Sequence, residues 1–275
     1  MNNHKHKIGF IGGGNMARSL IGGLVSAGYP AEALSVADPN ESIRTALAAD
    51  FGINATADNQ QIMAQCDVVV LAVKPQVMQN VTSALNPGQK KLPLYLSVAA
   101  GIRTASLANW LGGETAIVRA MPNTPALVQS SATGLFANPH VSPNQRDLAE
   151  SIMRAAGLVQ WVEDEALMDT VTALSGSGPA YLFLMMEAME KAAQKLGLPA
   201  ETARLLTVQT AFGAAKLALE IEEDPALLRE NVTSPGGTTE RAIQVLRQEG
   251  FEDMFYKALK AARDRSHELA DELGK

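Results

Sequence analysis

The first 163 residues alternate short apolar runs with amphipathic segments. The run after Asp67 is apolar throughout, which is typical of a strand buried on both faces of a parallel sheet. Strands are predicted at residues 7–11, 34–37, 67–73, 92–99, 115–121, 134–137 and 158–162. Helices are predicted between them at residues 18–28, 58–66, 76–85, 103–111 and 143–156. This alternation predicts an α/β fold with a doubly wound, mostly parallel sheet.

The first predicted strand continues directly into a glycine-rich turn. The segment Gly12-Gly-Gly-Asn-Met-Ala17 has the form G-x-G-x-x-A and precedes a predicted helix. In such a turn Gly12 makes the tight bend, Gly14 admits a pyrophosphate close to the backbone, and Ala17 lets helix and strand pack closely. The position of the motif between a strand and a helix predicts a Rossmann-type dinucleotide site.

Distinctive residues follow other strands at the edge where such sheets bind ligands. Asp38 ends the second strand, where an acidic residue usually binds the adenine ribose hydroxyls of NAD, although it could also cap the next helix. Arg44 lies nearby and could offset its charge, so NAD and NADP both stay open. Lys74 and Asn123 could contact cofactor or substrate, or could be an ordinary solvated lysine and an ordinary turn residue.

After residue 163 the strand patterns end and only helical patterns follow. Helices are predicted at residues 166–174, 179–197, 200–222, 239–249 and 251–273, with a short one from Pro225. We therefore predict a dinucleotide-binding Rossmann domain at 1–163 and a helical substrate-binding and dimerisation domain at 164–275. Two of the helices are apolar around much of their circumference, so a second copy of the chain is expected to cover them.

A second candidate ligand site is the loop Asn231-Val-Thr-Ser-Pro-Gly-Gly-Thr-Thr239. Its two glycines let the backbone approach a ligand, and the following helix start offers free N–H groups and the positive end of the helix dipole. Thr238 or Thr239 could cap that helix. The loop predicts an anion pocket, and an ordinary capped turn is the alternative.

Composition narrows the classes of function. Hydrophobic residues make up 47% and charged residues 19% of the 275 residues, as in soluble globular proteins. A net charge of −6 without a basic run argues against a nucleic-acid partner. No apolar run approaches the roughly 18 residues of a membrane span, and the polar residues 1–7 do not predict a secretion signal.

Cysteine and histidine usage point to a reducing compartment without metal chemistry. The single cysteine, Cys66, excludes an intrachain disulfide and fits the cytoplasm. Its place between a helix and a strand predicts a core position rather than a catalytic thiol. No metal site is expected.

The available acid–base groups constrain the substrate. Reduction of a ketone would need a proton relay such as His with Asp, or Lys. His140 lies in a predicted loop, His267 lies near the C-terminus, and the first lysine of the 179–197 helix is Lys191. An imine C=N bond fits better, because it is readily protonated and needs only a hydride at carbon. The 231–239 loop would then orient a substrate carboxylate while a threonine hydroxyl meets the nitrogen.

Over almost its whole length the chain resembles the pyrroline-5-carboxylate reductase family. The resemblance rests on five motifs, and the last two are specific to that family among Rossmann enzymes. They are Gly9-Phe-Ile-Gly-Gly-Gly-Asn-Met-Ala17, Ala72-Val-Lys-Pro75, Arg119-Ala-Met-Pro-Asn-Thr-Pro125, Leu174-Ser-Gly-Ser-Gly-Pro-Ala-Tyr181 and Asn231-Val-Thr-Ser-Pro-Gly-Gly-Thr-Thr239.

The resemblance implies a reaction, a set of site residues and an assembly. The reaction is reduction of (S)-1-pyrroline-5-carboxylate to L-proline by NAD(P)H, the last step of proline biosynthesis. It implies a site between the two domains, completed by an intertwined dimer partner, and in many members a larger ring of dimers. By position, Thr239 would meet the ring nitrogen as the catalytic residue. The implied substrate-binding residues are Glu222, Asn231, Ser234, Gly236, Gly237, Thr238 and Thr239. The implied or predicted cofactor-binding residues are Gly12, Gly14, Asn15, Met16, Ala17, Asp38, Asn59, Ala72, Lys74, Met121 and Asn123.

The cofactor preference and two alternative functions stay open. Many members prefer NADPH and carry small polar residues where this chain has Asp38-Pro39-Asn40. One alternative is a reductase of the 3-hydroxyacid dehydrogenase type. It would need a lysine early in the helix after residues 175–178, where this chain is apolar. The other is a non-enzymatic nucleotide-sensing protein, which would bind cofactor without turnover.

Overall fold

The computed structural model describes residues 6–85 and 92–274. By packing, the chain forms two compact units. The first comprises the residues up to Ser177 together with the C-terminal segment from Ala261, and the second is Gly178–Lys260. The predicted boundary after residue 163 separates a cofactor-binding from a substrate-binding and dimerisation region, and it differs from the division between the packed units after Ser177. The assignment of these two roles stays a prediction.

The first unit is built on one eight-stranded sheet with the order β3-β2-β1-β4-β5-β6-β7-β8. Neighbouring strands are parallel except β6 and β7, so β7 and β8 run opposite to the others. This confirms the predicted mostly parallel sheet. The strands are β1 Ile8–Ile11, β2 Leu34–Ala37, β3 Asn54–Thr56, β4 Val68–Leu71, β5 Leu94–Ser97, β6 Ile117–Met121, β7 Ser131–Ala137 and β8 Gly157–Trp161.

The helices follow the predicted alternation and then the predicted all-helical region. In the first unit they are α1 Asn15–Ser26, α2 Glu41–Phe51, α3 Asn59–Gln65, α4 Pro75–Ser83, α5 Thr104–Trp110, α6 Pro143–Arg154 and α7 Leu167–Val171. The remaining helices are α8 Gly178–Lys195, α9 Ala200–Glu220, α10 Pro225–Asn231, α11 Thr238–Gln248 and α12 Phe251–Leu273. A π-helical turn, Thr172–Gly176, follows α7 where the sequence predicted plain helix to residue 174.

The core explains why the central strands are apolar at every position. All four residues of β4 are buried, and successive residues point to opposite faces of the sheet. Val68 and Val70 belong to one hydrophobic cluster, whereas Val69 and Leu71 belong to a second. Both faces of β4 are therefore covered, as the apolar run predicted.

One strand was not predicted. β3 has only three residues, lies at the edge of the sheet, and contains Asn54 and Thr56. An edge strand with polar side chains does not carry the apolar pattern on which the other assignments depend. Its presence matters because it places the start of α3 next to the end of β2.

Cys66 lies directly after α3, where the sequence predicted a structural position. Burial, helped by the nearby Asp67 carboxylate, raises the pKa of its thiol to about 11. At neutral pH the thiol therefore stays protonated, and this form is a poor nucleophile. The structural role fits this environment.

A buried charge cluster joins the C-terminal half of α12 to β6. The guanidinium of Arg119, with 3% of its side chain exposed, lies 3.3 Å from Glu165 and 3.7 Å from Asp169. Ser266 donates its hydroxyl to Asp169 at 2.8 Å, and His267 Nδ1 lies 3.3 Å from the same carboxylate. Buried charges need such partners, because an unpaired one is strongly destabilising. The last turns of α12 thus belong to the first unit.

The helices of the second unit leave large apolar side chains exposed. No residue of α8 is buried, and only Ala203 and Thr207 are buried on α9. Phe183, Phe212 and Leu219 are 63%, 60% and 81% exposed. Apolar surface of this extent on a folded chain is typical of an interaction face. Among residues 6–85 and 92–274, no helix combines the length and apolar character needed to cross a membrane.

Candidate active site

Gly12 brings the ends of three strands together. Its N–H donates to the carbonyl of Ala37 at 2.8 Å, and the N–H of Ala72 donates to the carbonyl of Ile11 at 2.8 Å. Gly12 has a φ of +97°, and a Cβ there would lie 2.7 Å from the carbonyl oxygen of Ala72. Only glycine fits this bend, as the motif predicted, and the bend places Ala72 beside the glycine turn.

The start of α1 is open to an anion. Gly14 occupies the N-cap position without a side-chain cap, and no atom lies within 4 Å of the place where its Cβ would be. Ala17 is fully buried, which lets α1 approach the sheet. Asn15 is exposed and Met16 is half-buried. The first-turn N–H groups and the helix dipole suit a phosphate at this point.

Asp38 is tied to the glycine turn rather than to the next helix. It is buried, its Oδ2 accepts the N–H of Gly13 at 2.8 Å, and its Oδ1 accepts the N–H of Asn40 at 2.8 Å. The cap of α2 is Asn40, whose side chain accepts the N–H of Ser42. The alternative that Asp38 caps α2 is therefore wrong. Each carboxylate oxygen keeps a further lone pair with which to accept a ribose hydroxyl.

Arg44 lies at the same turn and holds its backbone. Its guanidinium donates to the carbonyls of Asp38 and Pro39 at 2.7 and 3.0 Å. A positive charge therefore stands at the backbone of the turn that follows β2. Sequence reasoning identified the proximity of Arg44 but not this bonding, because the partners are carbonyls of a turn.

The other predicted cofactor residues lie along the same edge, since parallel strands have their carboxyl ends on one side. Ala72 and Met121 are half-buried at the ends of β4 and β6. Lys74 is exposed just before α4, and Asn59 begins α3 after β3. Asn123 is buried beyond the end of β6.

The loop at residues 231–239 forms a compact turn at the start of α11. Gly236 has a φ of +71°, and the N–H of Gly237 donates to the carbonyl of Ser234 at 3.0 Å. Gly237 is the N-cap of α11, with no side-chain cap. The expectation that Thr238 or Thr239 caps the helix is thus wrong, because the glycine takes that position. Both threonines lie in the first helical turn, and their hydroxyls do not cap the helix.

Two glutamates near this loop were not foreseen in these roles. The N–H of Gly236 donates to Glu240 Oε2 at 2.8 Å, which braces the turn from inside α11. Asn231 donates its side-chain amide to Glu223 at 3.3 Å, and both Glu223 and Glu222, the predicted neighbour of the loop, are exposed. The spacing of Glu240 four residues after Gly236 was the one available signal.

No group of three or more His, Cys, Asp or Glu side chains within residues 6–85 and 92–274 is arranged to hold a metal ion. The starts of α1 and α11 have a glycine at the N-cap without a side-chain cap, and such helix starts suit anionic ligands.

Comparison with known proteins identifies the family. Residues 165–269 match the family described as pyrroline-5-carboxylate reductase dimerisation, and residues 7–101 match the one described as NADP oxidoreductase, coenzyme F420-dependent. The chain is 52% identical over 268 residues to pyrroline-5-carboxylate reductase of Pseudomonas aeruginosa, covering 98% of both chains. The chain belongs to the pyrroline-5-carboxylate reductase family. The predicted resemblance is confirmed.

Solved structures agree with this assignment. A pyrroline-5-carboxylate reductase from Coxiella burnetii is 49% identical with a TM-score of 0.93, covering 96% of this chain and 98% of that one. A pyrroline carboxylate reductase from Plasmodium falciparum, solved with NADP bound, is 29% identical with a TM-score of 0.84. That match covers 97% of this chain and 99% of the other.

Alanine substitutions at the two motif glycines should have different effects, one on the stability of the fold and the other on nucleotide binding. Gly12→Ala should destabilise the fold by about 1–3 kcal/mol, because a side chain is strained at this positive φ. Gly14→Ala should leave the melting temperature unchanged, since its backbone at φ −67° suits alanine and nothing crowds the new methyl group. It should instead weaken binding of NADPH and NADH, because the methyl group meets the pyrophosphate.

Thermal melts and nucleotide titrations of both variants measure this contrast. A wild-type melting temperature for Gly12→Ala would contradict the tight-bend assignment. Wild-type nucleotide affinity for Gly14→Ala would show that the pyrophosphate does not approach that residue.

Proposed function

We propose that this family member reduces (S)-1-pyrroline-5-carboxylate to L-proline with a hydride from NADPH or NADH, the last step of proline biosynthesis. The observation that carries the proposal is the 52% identity over 268 residues to a pyrroline-5-carboxylate reductase. The hydroxyacid-dehydrogenase and nucleotide-sensor alternatives are not favoured. Oxidation of NADPH and of NADH by the purified chain, with and without pyrroline-5-carboxylate, tests the reaction directly.

We assign the cofactor to the carboxyl edge of the sheet. The first-turn N–H groups of α1, from Asn15 to Ala17, would bind the pyrophosphate beside Gly12 and Gly14. Asp38 and Asn59 would bind at the adenosine ribose. Ala72, Lys74, Met121 and Asn123 would stand at the nicotinamide end. The placement of these residues on one edge supports the assignment.

We assign the substrate to the loop before α11. Because the N–H of Gly236 is bonded to Glu240, the substrate carboxylate is assigned to the N–H groups of Thr238 and Thr239. Ser234, Gly236 and Gly237 would shape the turn around it, with Asn231 and Glu222 beside the loop. The Thr239 hydroxyl would hydrogen-bond the ring nitrogen. Hydride adds to the imine carbon, and the nitrogen takes up a proton from water to give the secondary amine.

The proposal includes an assembly and a location. We propose a homodimer as the minimum form and a ring of dimers as the larger one. The dimerisation match and the exposed apolar side chains of α8 and α9 support it. The match from residue 165 also supports a role boundary of 1–163 and 164–275. A cytoplasmic location is proposed because the free Cys66 fits a reducing compartment.

Thr239→Val should lower kcat/KM for pyrroline-5-carboxylate by roughly 10- to 1,000-fold, the loss expected for one transition-state hydrogen bond in a water-excluded site. Steady-state kinetics with saturating cofactor measure it. Thr233→Val is the matched control, because Thr233 lies in the same loop and its hydroxyl donates to the carbonyl of Arg229 in α10. A folded Thr239→Val protein with control-like activity would remove Thr239 from the mechanism.

Asp38→Ser should shift the NADPH-to-NADH ratio of kcat/KM toward NADPH by roughly tenfold, about 1.4 kcal/mol. A carboxylate at this strand end accepts ribose hydroxyls and repels a 2′-phosphate. Glu41→Gln is the control, since it removes an exposed negative charge from the adjoining first turn of α2. If the NADPH-to-NADH ratio shifted equally in both variants, or did not shift in Asp38→Ser, Asp38 would not be the residue that recognises the ribose.

Phe212→Glu on α9 should weaken self-association by about tenfold or more, because a dimer would have to bury an unpaired carboxylate. Val77→Glu makes the same change at an exposed apolar position of α4 and should leave the dimer intact. Sedimentation equilibrium compares both with the wild type. A monomeric wild type would refute the assembly.

A further inference from the structure

Asn123 uses both ends of its side-chain amide to join two parts of the backbone. Its Nδ2 donates to the carbonyl of Ser175 at 2.9 Å, and its Oδ1 accepts the N–H of Ala132 at 3.1 Å. A carbonyl only accepts and an N–H only donates, so the orientation of the amide is determined. The residue is 8% exposed. It therefore links the start of β7 to the segment that follows α7.

That segment is the π-helical turn Thr172–Gly176, closed by the Ser177 N–H donating to the carbonyl of Thr172 at 2.9 Å. π-Helical turns are rare in proteins, and those that do occur are often found at functional sites. Close packing holds this turn against β6, and holds Val171, the last residue of α7, against β7. A Cβ at Gly176 would lie 2.5 Å from Met121 Cε, and one at Gly134 would lie 2.5 Å from Val171 Cγ1.

We propose that Asn123 is a positioning residue for hydride transfer: its amide fixes the 172–176 turn against Met121 at the nicotinamide end of the site. This inference rests on the proposed function, which assigns Met121 to that end. Asn123 stands at the nicotinamide end, as assigned above, but both ends of its amide are bonded to backbone, so it acts there through the turn and Met121 rather than by bonding the dinucleotide. Because the pyrophosphate is assigned to the start of α1, the effect falls on kcat and not on nucleotide affinity.

The chain contains a matched control for this role. Asn138 is 7% exposed, its Oδ1 accepts the N–H of Ile117 at 3.1 Å, and its Nδ2 donates to the carbonyl of Thr115 at 2.8 Å. β6 and β7 are antiparallel, so Asn123 and Asn138 clamp opposite ends of the same strand pair. Only Asn123 stands at the cofactor edge.

The test compares Asn123→Asp with Asn138→Asp. Each change keeps the accepting Oδ1 and replaces the donating Nδ2 by an oxygen. That oxygen would face a backbone carbonyl, to which it cannot donate, so both variants should have similarly lowered melting temperatures. Asn123→Asp should also lower kcat by about 10- to 100-fold, the cost of a small misplacement of reacting groups. Asn138→Asp should keep a near-wild-type kcat, and both should keep wild-type affinity for NADPH and NADH.

Gly176→Ala provides a second route to the same result if Asn123→Asp folds poorly. It leaves the Asn123 bonds intact but pushes on the flexible end of Met121, and it should lower kcat without changing nucleotide affinity. Equal kcat losses in Asn123→Asp and Asn138→Asp, or weaker nucleotide binding with an unchanged kcat, would overturn the inference. So would wild-type kcat in Gly176→Ala. Wild-type turnover is measured first, because its absence would refute the proposed activity itself. Normal wild-type turnover, with variants whose kcat equals that of the wild type, would refute only the role of Asn123.

Discussion

The cofactor edge depends on the hydrogen bond from the N–H of Gly12 to the carbonyl of Ala37. The bond continues the β1–β2 pairing one residue beyond the last paired residues, Ile11 and Ala37. The bond from Ala72 to Ile11 does the same on the β4 side. Three strands therefore end at one level, and the loops that follow them emerge side by side. Residues far apart in sequence can then act on one ligand.

The fold was predictable where burial leaves a local pattern. β1 and β4 are apolar at every position because both faces are covered, and the glycine turn has a fixed spacing that needs no tertiary information. β3 left no such pattern, because an edge strand of three residues buries little. The π-helical turn after α7 was also missed, since its extra residue per turn is set by packing rather than by residue type.

The site was predictable in residue type and approximate place but not in bonding. Asp38 was expected to bind ribose and, as an alternative compatible with it, to cap a helix; the sequence did not show that the N–H of Gly13, 25 residues away, donates to its carboxylate. The threonines at the start of α11 were expected to cap it, but Gly237 took that position. Such partners depend on the exact course of a loop, which neither periodicity nor spacing encodes.

The buried cluster around Asp169 has a consequence for how the chain is made. Ser266 and His267, two of the groups that surround this carboxylate, belong to the last helix, whereas Arg119 and Asp169 are synthesised much earlier. A ribosome-bound chain that has already formed its sheet still lacks these two groups. The first unit is therefore completed only once residues 266 and 267 have left the ribosome, and until then the buried Asp169 carboxylate lacks two of its partners.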